Sequence, residues 1–466
     1  VETVKLAILG GGGVRMPDFV HAMLSRDELL FEEIALFEPD ELRRATTARL
    51  AAEVAGVLGH DGVVRICAEA GEAFSGADFV FSAIRVGGDR GRVIDEQVAL
   101  ERGLVGQETT GPGGCAMALR TVPVVLGYCE LLREMAPQAT LVNFTNPAGI
   151  ITQAIASHGG VRAVGVCDTP SGTIERLGEF LDAGDAPLSF SYGGLNHLGW
   201  ITSLRVGDEE RIDELIARYE ELQAFDHRFA ALDAEMVHRI GAVPTEYVFY
   251  YYDPQRYVAG VRHAGSSRGE DVLALNEELF AGLAKAFAGG DVRDAWAVYT
   301  TLMGVRRDTY MRTDTEGENG QSAARARRLA AGPPPLQRGK VAGYAGVALQ
   351  VIAGLTGERP GEVIVNTVNG PSVPFLEPDD VVEVPALVHA GGLAPLATMP
   401  LPASARGLVT EVKQYERAVV EAAVNGNAAL AALALSMHPL VPGVSVAREM
   451  MAEYRERHGP HLAYLR

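Results

Sequence analysis

Four glycines, Gly10, Gly11, Gly12 and Gly13, follow an apolar run at 5–9 and precede a helical pattern at 17–25. Glycines between a strand and a helix let backbone N–H groups approach a pyrophosphate at the helix N-terminus. Glu38 closes a second apolar run at 34–37. An acid there accepts from the ribose 2′-hydroxyl of NAD+ and disfavours the extra phosphate of NADP. Arg15 stands where the glycine fingerprint would end, and the spacing assigns it no role. A plain turn beside an empty crevice is the competing account. Other polar residues close further apolar runs: Arg85 after 79–83, Asn143 and Asn146 at and after 140–143, Cys167 and Asp168 after 161–166. Taken alone, Cys167 reads as a small buried hydrophobe and His197 as a satisfied hydrogen-bonding group.

The elements that must position these residues alternate. Runs at 5–9, 34–37, 63–67, 79–83, 140–143 and 161–166 predict strands, and patterns at 17–25, 40–58, 116–135 and 148–157 predict helices. Short links between them predict an α/β fold, a Rossmann-like doubly wound parallel sheet, with ligands at the carboxyl ends of its strands. After Gly193 the pattern changes. A tyrosine-rich patch at 247–252, helical patterns at 270–287, 291–302 and 344–355, strands at 362–368 and 381–388, and a long helix at 406–436 broken near Gly426 predict a mixed α+β domain. The expected division is 1–193 for NAD binding and 194–466 for substrate binding and oligomerisation.

Composition narrows the function classes. The chain of 466 residues is 47% hydrophobic and 22% charged, which allows a large core and excludes global disorder. Its net charge of −19 argues against a general nucleic-acid binder. Four cysteines are too few for a disulfide scaffold, so a reduced, cytoplasmic setting is expected. Neither a signal peptide nor a membrane span is expected from the apolar runs.

Several motifs then point one way: Ser82-Ala-Ile-Arg85-Val-Gly-Gly, Arg92-Val-Ile-Asp95-Glu96, Gly106-Gln-Glu108-Thr-Thr-Gly-Pro-Gly-Gly, Asn143-Phe-Thr-Asn146-Pro, Val166-Cys167-Asp168-Thr-Pro, Gly194-Leu-Asn-His197 and Pro244-Thr-Glu-Tyr247-x-x-Tyr-Tyr251. In this order and spacing the chain resembles the family 4 glycoside hydrolases, and most of all their 6-phospho-β-glucosidases. The resemblance runs over nearly the whole chain. It implies a plan like lactate and malate dehydrogenases and a route unlike two-carboxylate glycosidases. In that route NAD+ takes a hydride from sugar carbon 3, a base removes the proton on carbon 2, and the C1–O bond breaks by elimination. Water then adds and the hydride returns. A divalent metal, usually Mn2+, binds the sugar oxygens at carbons 2 and 3.

The resemblance also assigns roles. Cys167 and His197 match the metal ligands; two protein donors leave an open site, which suits Lewis-acid work rather than a closed structural centre. Tyr247 matches the catalytic base, with Tyr251 in reserve; an aromatic core patch is the competing reading. Because a phenol has a pKa near ~10, it needs a nearby cation. Asp168 matches a general-acid position, or accepts from a sugar hydroxyl. Arg92 and Asn146 match substrate contacts, and Arg85, Arg92 and Arg268 are the candidates for a 6-phosphate, which a guanidinium binds with paired hydrogen bonds. Glu108 accepts from sugar hydroxyls or holds its own glycine-rich loop. Asn143 shapes the crevice near the nicotinamide. Homodimers or homotetramers are implied. The Ser82 and Gly106 motifs look β-specific, whereas Asp168 is shared with α-specific relatives, so a 6-phospho-α-glucosidase is the alternative. A 2-hydroxy-acid dehydrogenase, or a non-catalytic sensor of NAD and sugar phosphate, would represent a different class.

Overall fold

The computed structural model describes residues 3–26, 29–318, 320–338 and 344–466. Six strands, β1 (Thr3–Leu9), β2 (Leu30–Phe37), β3 (Val64–Cys67), β4 (Phe79–Ser82), β5 (Thr140–Asn143) and β6 (Arg162–Gly165), pair in parallel in the order β6-β5-β4-β1-β2-β3. This is the doubly wound order of dinucleotide-binding sheets. Helices cover both faces, so the central strands are apolar on both sides: Leu6, Ala7 and Ile8 of β1 are wholly buried.

The sheet does not stop at β6. It continues through β7 (Leu188–Leu195), β8 (Leu198–Val206), the short β9 (Glu209–Glu210) and β10 (Val243–Pro244), then β11 (Gly361–Val368), β12 (Val381–His389) and β13 (Gly392–Pro395). β11 runs antiparallel to β6, and β12 lies antiparallel between β11 and β7. Residues 193 and 194 both lie inside β7, so one sheet joins the two halves of the chain.

Most expected elements are present within a few residues. The helix at 40–58 is observed over 41–57 with a π-helical stretch at Arg44–Ala48. The long final helix divides into Ala403–Asn425 and Ala428–Met437 at Gly426, whose φ is +62°. Several helices were not expected, among them Gly88–Leu100, Thr169–Phe180, Pro254–Ala264, Gln321–Ala331 and Val444–His458. The first hides from hydrophobic periodicity because its buried face carries Arg92, Asp95 and Glu96. Those charges are compensated by partners distant in sequence: Arg120 pairs with Asp95, and Glu96 accepts from the Gly269 amide at 2.6 Å. The helix Pro112–Met135 is long and apolar enough to cross a bilayer, which the sequence reading had not allowed for, but 61% of its most apolar stretch is buried inside the protein. That burial marks it as a core helix.

Candidate active site

One cavity of about 1880 Å³ opens at the carboxyl ends of the parallel strands. The glycine turn forms one end. Gly10 has φ +83°, and a Cβ there would come within 2.7 Å of the Ala83 carbonyl oxygen. The Gly10 and Gly11 amides both donate to the Phe37 carbonyl, at 3.1 and 2.8 Å, which ties the turn to β2. Glu38 is buried; its Oε2 accepts from the Gly12 amide and its Oε1 from the Asp40 amide, each at 3.1 Å. A Cβ on Gly12 would lie 2.9 Å from Glu38 Oε2. The turn and the acid are therefore built as one unit, with the carboxylate's remaining lone pairs available for ribose hydroxyls. Burial pushes the Glu38 carboxyl above its ordinary range, against the Asp40 amide and the Arg43 charge.

Cys167 follows β6 and His197 sits in the tight turn between β7 and β8, at φ +62°. The Cys167 Sγ and His197 Nε2 atoms are 3.7 Å apart, and both residues are 6% exposed. The other ring nitrogen, Nδ1, lies 2.8 Å from Thr109 Oγ1, so Nε2 is the nitrogen left facing the sulfur. A cation bonded to a thiolate and an imidazole at tetrahedral angle places S and N about 3.6 Å apart. The pair fits a divalent metal on that count. Among the described residues no group of three or more His, Cys, Asp or Glu is arranged to hold a metal, so further donors would come from substrate or water. Burial, then the charges of Glu383 and Asp168, push the Cys167 thiol well up. Burial pushes His197 down to about 4, so the imidazole is neutral at pH 7. A cation would reverse the first effect, because a coordinated thiol loses its proton.

Tyr247 stacks on the His197 ring, with centroids 3.8 Å apart and planes 7° from parallel. Burial pushes its phenol well up, and the Tyr310 hydroxyl, within hydrogen-bonding reach, opposes that shift. Tyr310 also reaches Glu246 Oε1 at 3.4 Å. Tyr251 lies elsewhere, stacked on His438 at 5.7 Å and outside the cavity lining. Asp168 lines the cavity and, although it precedes the helix Thr169–Phe180, its side chain makes no capping bond.

The far wall is cationic. Arg85 and Arg92 both pair with Glu108, at 2.6 and 3.1 Å, and Arg92 also pairs with Glu96 at 2.8 Å. Burial raises the Glu108 carboxyl, but Arg85 and Arg92 outweigh it and hold Glu108 at about 2. Arg268 and Arg306 differ: among the described residues neither has a carboxylate partner. Arg268 donates to Thr309 Oγ1 and the Arg306 carbonyl, at 2.9 and 2.7 Å, and Arg306 donates to Asn276 Oδ1 at 3.2 Å. Burial and then the charges of Arg15, Arg92 and Arg268 push Arg306 down to about 9. Concentrated positive charge of this kind is a site for an anion.

The structure therefore brings Gly10, Gly13, Glu38, Arg85, Arg92 and Glu108 into one cavity with Asn146, Cys167, Asp168, His197, Tyr247 and Arg268. Gly11 and Gly12 pack instead against Leu36 and Glu38. Asn143 is wholly buried and does not line the cavity; its amide donates to the Thr145 carbonyl and Thr152 Oγ1, at 3.2 and 3.1 Å. It shapes the loop after β5 from behind, because a strand-end side chain alternates between the two faces.

The family 4 glycosyl hydrolase model matches residues 5–183, and the model for the C-terminal domain of the same family matches 192–441. The chain belongs to glycosyl hydrolase family 4. It is 28% identical to a probable 6-phospho-β-glucosidase of Bacillus subtilis, over 98% of this chain and 97% of that protein. It is 26% identical to the 6-phospho-β-glucosidase of Thermotoga maritima, whose structure was solved with manganese, NAD+ and glucose-6-phosphate (TM-score 0.78, covering 97% and 98% of the two chains). A 6-phospho-α-glucosidase from gut microorganisms, solved with NAD and glucose-6-phosphate, is as close at 25% identity and TM-score 0.77, covering 98% of each chain. A lactate dehydrogenase of Cryptosporidium parvum shares the fold alone, at 12% identity and TM-score 0.52, over 91% of this chain and 99% of that one.

Within this family 4 chain, sequence reasoning missed Thr109, Arg306 and Tyr310. Thr109 lies inside the Gly106 motif, and its role needs the His197 ring beside it. Arg306 and Tyr310 stand at and beyond the end of the helix Val292–Asp308 with no motif around them. An Arg-Arg pair at a helix C-terminus reads as an ordinary favourable dipole contact.

Proposed function

We propose that this chain is an NAD+- and divalent-metal-dependent 6-phospho-β-glucosidase that acts by transient oxidation at carbon 3 and elimination across C1 and C2. The observation that carries the reading is the Cys167–His197 pair, 3.7 Å apart, in one cavity with both the glycine turn and the carboxylate-free arginines. Gly10, Gly13 and Glu38 would hold the dinucleotide, with Gly11 and Gly12 shaping the turn, and Cys167 and His197 would hold the metal, with Thr109 fixing the imidazole tautomer. When bound, NAD+ supplies reversible hydride acceptance and the metal supplies Lewis acidity toward the sugar oxygens.

The chain's own residues do the remaining work. Arg268 and Arg306, with Arg15 nearby, take the 6-phosphate and set the register of the sugar. Arg85 and Arg92 fix Glu108 as a carboxylate that accepts from sugar hydroxyls, and Asn146 adds a further polar contact. Tyr247, stacked over His197, removes the proton from carbon 2; turning its hydrogen from Glu246 to Tyr247 lets the Tyr310 hydroxyl favour the phenolate. The C1–O bond breaks as C1=C2 forms and Asp168 protonates the departing oxygen; water then adds at C1, returning a proton to Asp168, and Tyr247, after exchange with solvent, delivers a proton to C2. Substrate contacts come from both 1–193 and 194–466, which share one sheet. The β anomer rests on the Ser82 and Gly106 motifs; because a carbanion at C2 can expel either anomer, α specificity is the second reading.

The same proposal places the enzyme in the cytoplasm as a homodimer or homotetramer. The four cysteines are free and buried, which supports a reduced setting, and light scattering tests the assembly. The decisive experiment is a panel of nitrophenyl α- and β-glycosides, with and without the 6-phosphate, assayed with NAD+, Mn2+ and a thiol reductant. Only phosphorylated β-glucosides should be cleaved, with no net change at 340 nm, loss of activity on chelation, and solvent deuterium at carbon 2 of the product. Cleavage without deuterium would overturn the elimination, and cleavage of α substrates alone would overturn the anomer.

A further inference from the structure

Glu383 lies in β12 and is 1% exposed. Among the described residues no Lys, Arg or His forms an ion pair with it. Three neutral donors hold it instead: Tyr192 Oη at 2.6 Å on Oε2, and the side-chain amides of Asn196 and Asn366 at 3.0 and 2.9 Å on Oε1. A buried carboxylate with no counter-charge is costly and persists where the surrounding structure requires it.

Its place in the sheet shows what it serves. Glu383 is in register with Asn366 of β11 on one side and with Gly194 of β7 on the other, and Asn366 is in register with Gly165, the last residue of β6. β6 leads into Cys167, and β7 leads through Asn196 into His197. The carboxylate thus sits where the parallel half of the sheet passes to the antiparallel half, between the two segments that carry the thiol and the imidazole. There is little slack around it. A Cβ on Gly165 would come 2.7 Å from Asn366 Cβ, and Gly194 has φ +148°.

We propose that Glu383 is a positioning residue for the metal pair: by bonding Asn196 beside His197 and Asn366 opposite the end of β6, it fixes the separation of Cys167 and His197. The proposal rests on the reading of Cys167 and His197 as ligands. It assigns Glu383 no contact with substrate. Partners of this kind around metal ligands typically change metal affinity by about 10- to 100-fold.

The test is Mn2+ binding to the whole protein without substrate or NAD+, followed by electron paramagnetic resonance of the free ion, on wild type and on Glu383→Gln, Asn196→Ala and Cys167→Ser. Glu383→Gln and Asn196→Ala should weaken Mn2+ binding about 10- to 100-fold. NAD+ binding should change by less than about twofold, and saturating Mn2+ should restore kcat of Glu383→Gln toward wild type. Loss of kcat that Mn2+ does not restore marks a merely structural role and overturns the proposal. So does wild-type Mn2+ affinity in both variants while Cys167→Ser has lost it, and in that case the ligand assignment stands. Wild-type affinity in Cys167→Ser defeats the ligand assignment itself. If Glu383→Gln does not fold, Asn196→Ala decides alone, since Asn196 is only half-buried.

Discussion

Two regions of the same cavity differ in the charge they are built to receive. Beyond the ends of β6 and β7, burial suppresses both charged forms: the Cys167 thiol is pushed up and the His197 imidazole down. That region gains by receiving a cation. Across the cavity, Arg268 and Arg306 form no ion pair with a carboxylate among the described residues, and burial, then the charges of Arg15, Arg92 and Arg268, push Arg306 down. That region gains by receiving an anion. Between them Arg85 and Arg92 are balanced by Glu108 and Glu96 in one ion-pair set. The contrast separates residues that bind from residues that hold the binders apart. On the proposed function, a sugar ring with vicinal oxygens at one edge and a phosphate at the other would satisfy both regions at once.

The comparison can be broken at its cationic demand first. Replacing Cys167 with Ser should lower turnover by roughly a thousandfold or more, with loss of Mn2+ binding; steady-state kinetics with Mn2+ titration checks it. Tyr247→Phe should lower kcat by about 10²- to 10⁴-fold, the range of a general base, while NAD+ and Mn2+ bind as before. Unchanged turnover in that variant would return Tyr247 to the aromatic core and reopen the sensor reading. At the anionic region, Arg306→Met should raise KM for a 6-phosphorylated substrate about 10- to 100-fold, from loss of one charged hydrogen bond. A matching rise with an unphosphorylated glycoside would show that Arg306 does not read the phosphate.

The smallest effect is expected from the ion-pair set between the two regions, and it concerns stability. Glu108 titrates at about 2 in the folded protein against 4.5 ordinarily, so its contribution is fully present above pH 4.5 and is lost as pH falls through 2. Arg85→Met should therefore lower stability by about 1–2 kcal/mol near neutral pH. The difference from wild type should shrink as the pH falls from 4.5 toward 2, which thermal melts across that range read directly. A difference that stays constant with pH would mean that Arg85 acts through packing rather than charge.

The parallel half of the fold was legible because buried parallel strands are continuous apolar runs and their ends are marked by glycine or polar residues. Gly10 to Gly13, Glu38 and Cys167 all stand where that pattern stops. The helix Gly88–Leu100 was not legible, since a buried face made of Arg92, Asp95 and Glu96 looks like a surface until Arg120 and the Gly269 amide are placed against it. Tyr247 was the first candidate and Tyr251 its reserve; the structure separates them, one ring lying on His197 and the other on His438. Asn143 carried the right polarity at the right strand end but faces inward.

By itself the sequence determined the doubly wound sheet, the glycine turn with its acid, and the motifs that resemble family 4, because each depends on neighbours in the chain or on a regular period. Only the tertiary structure decided that the sheet continues across residue 193, that Arg306 forms no close ion pair with a carboxylate among the described residues, and that Glu383 ties together the segments bearing Cys167 and His197. Those facts depend on which side chains meet across strands and helices distant in sequence, and no local period records them.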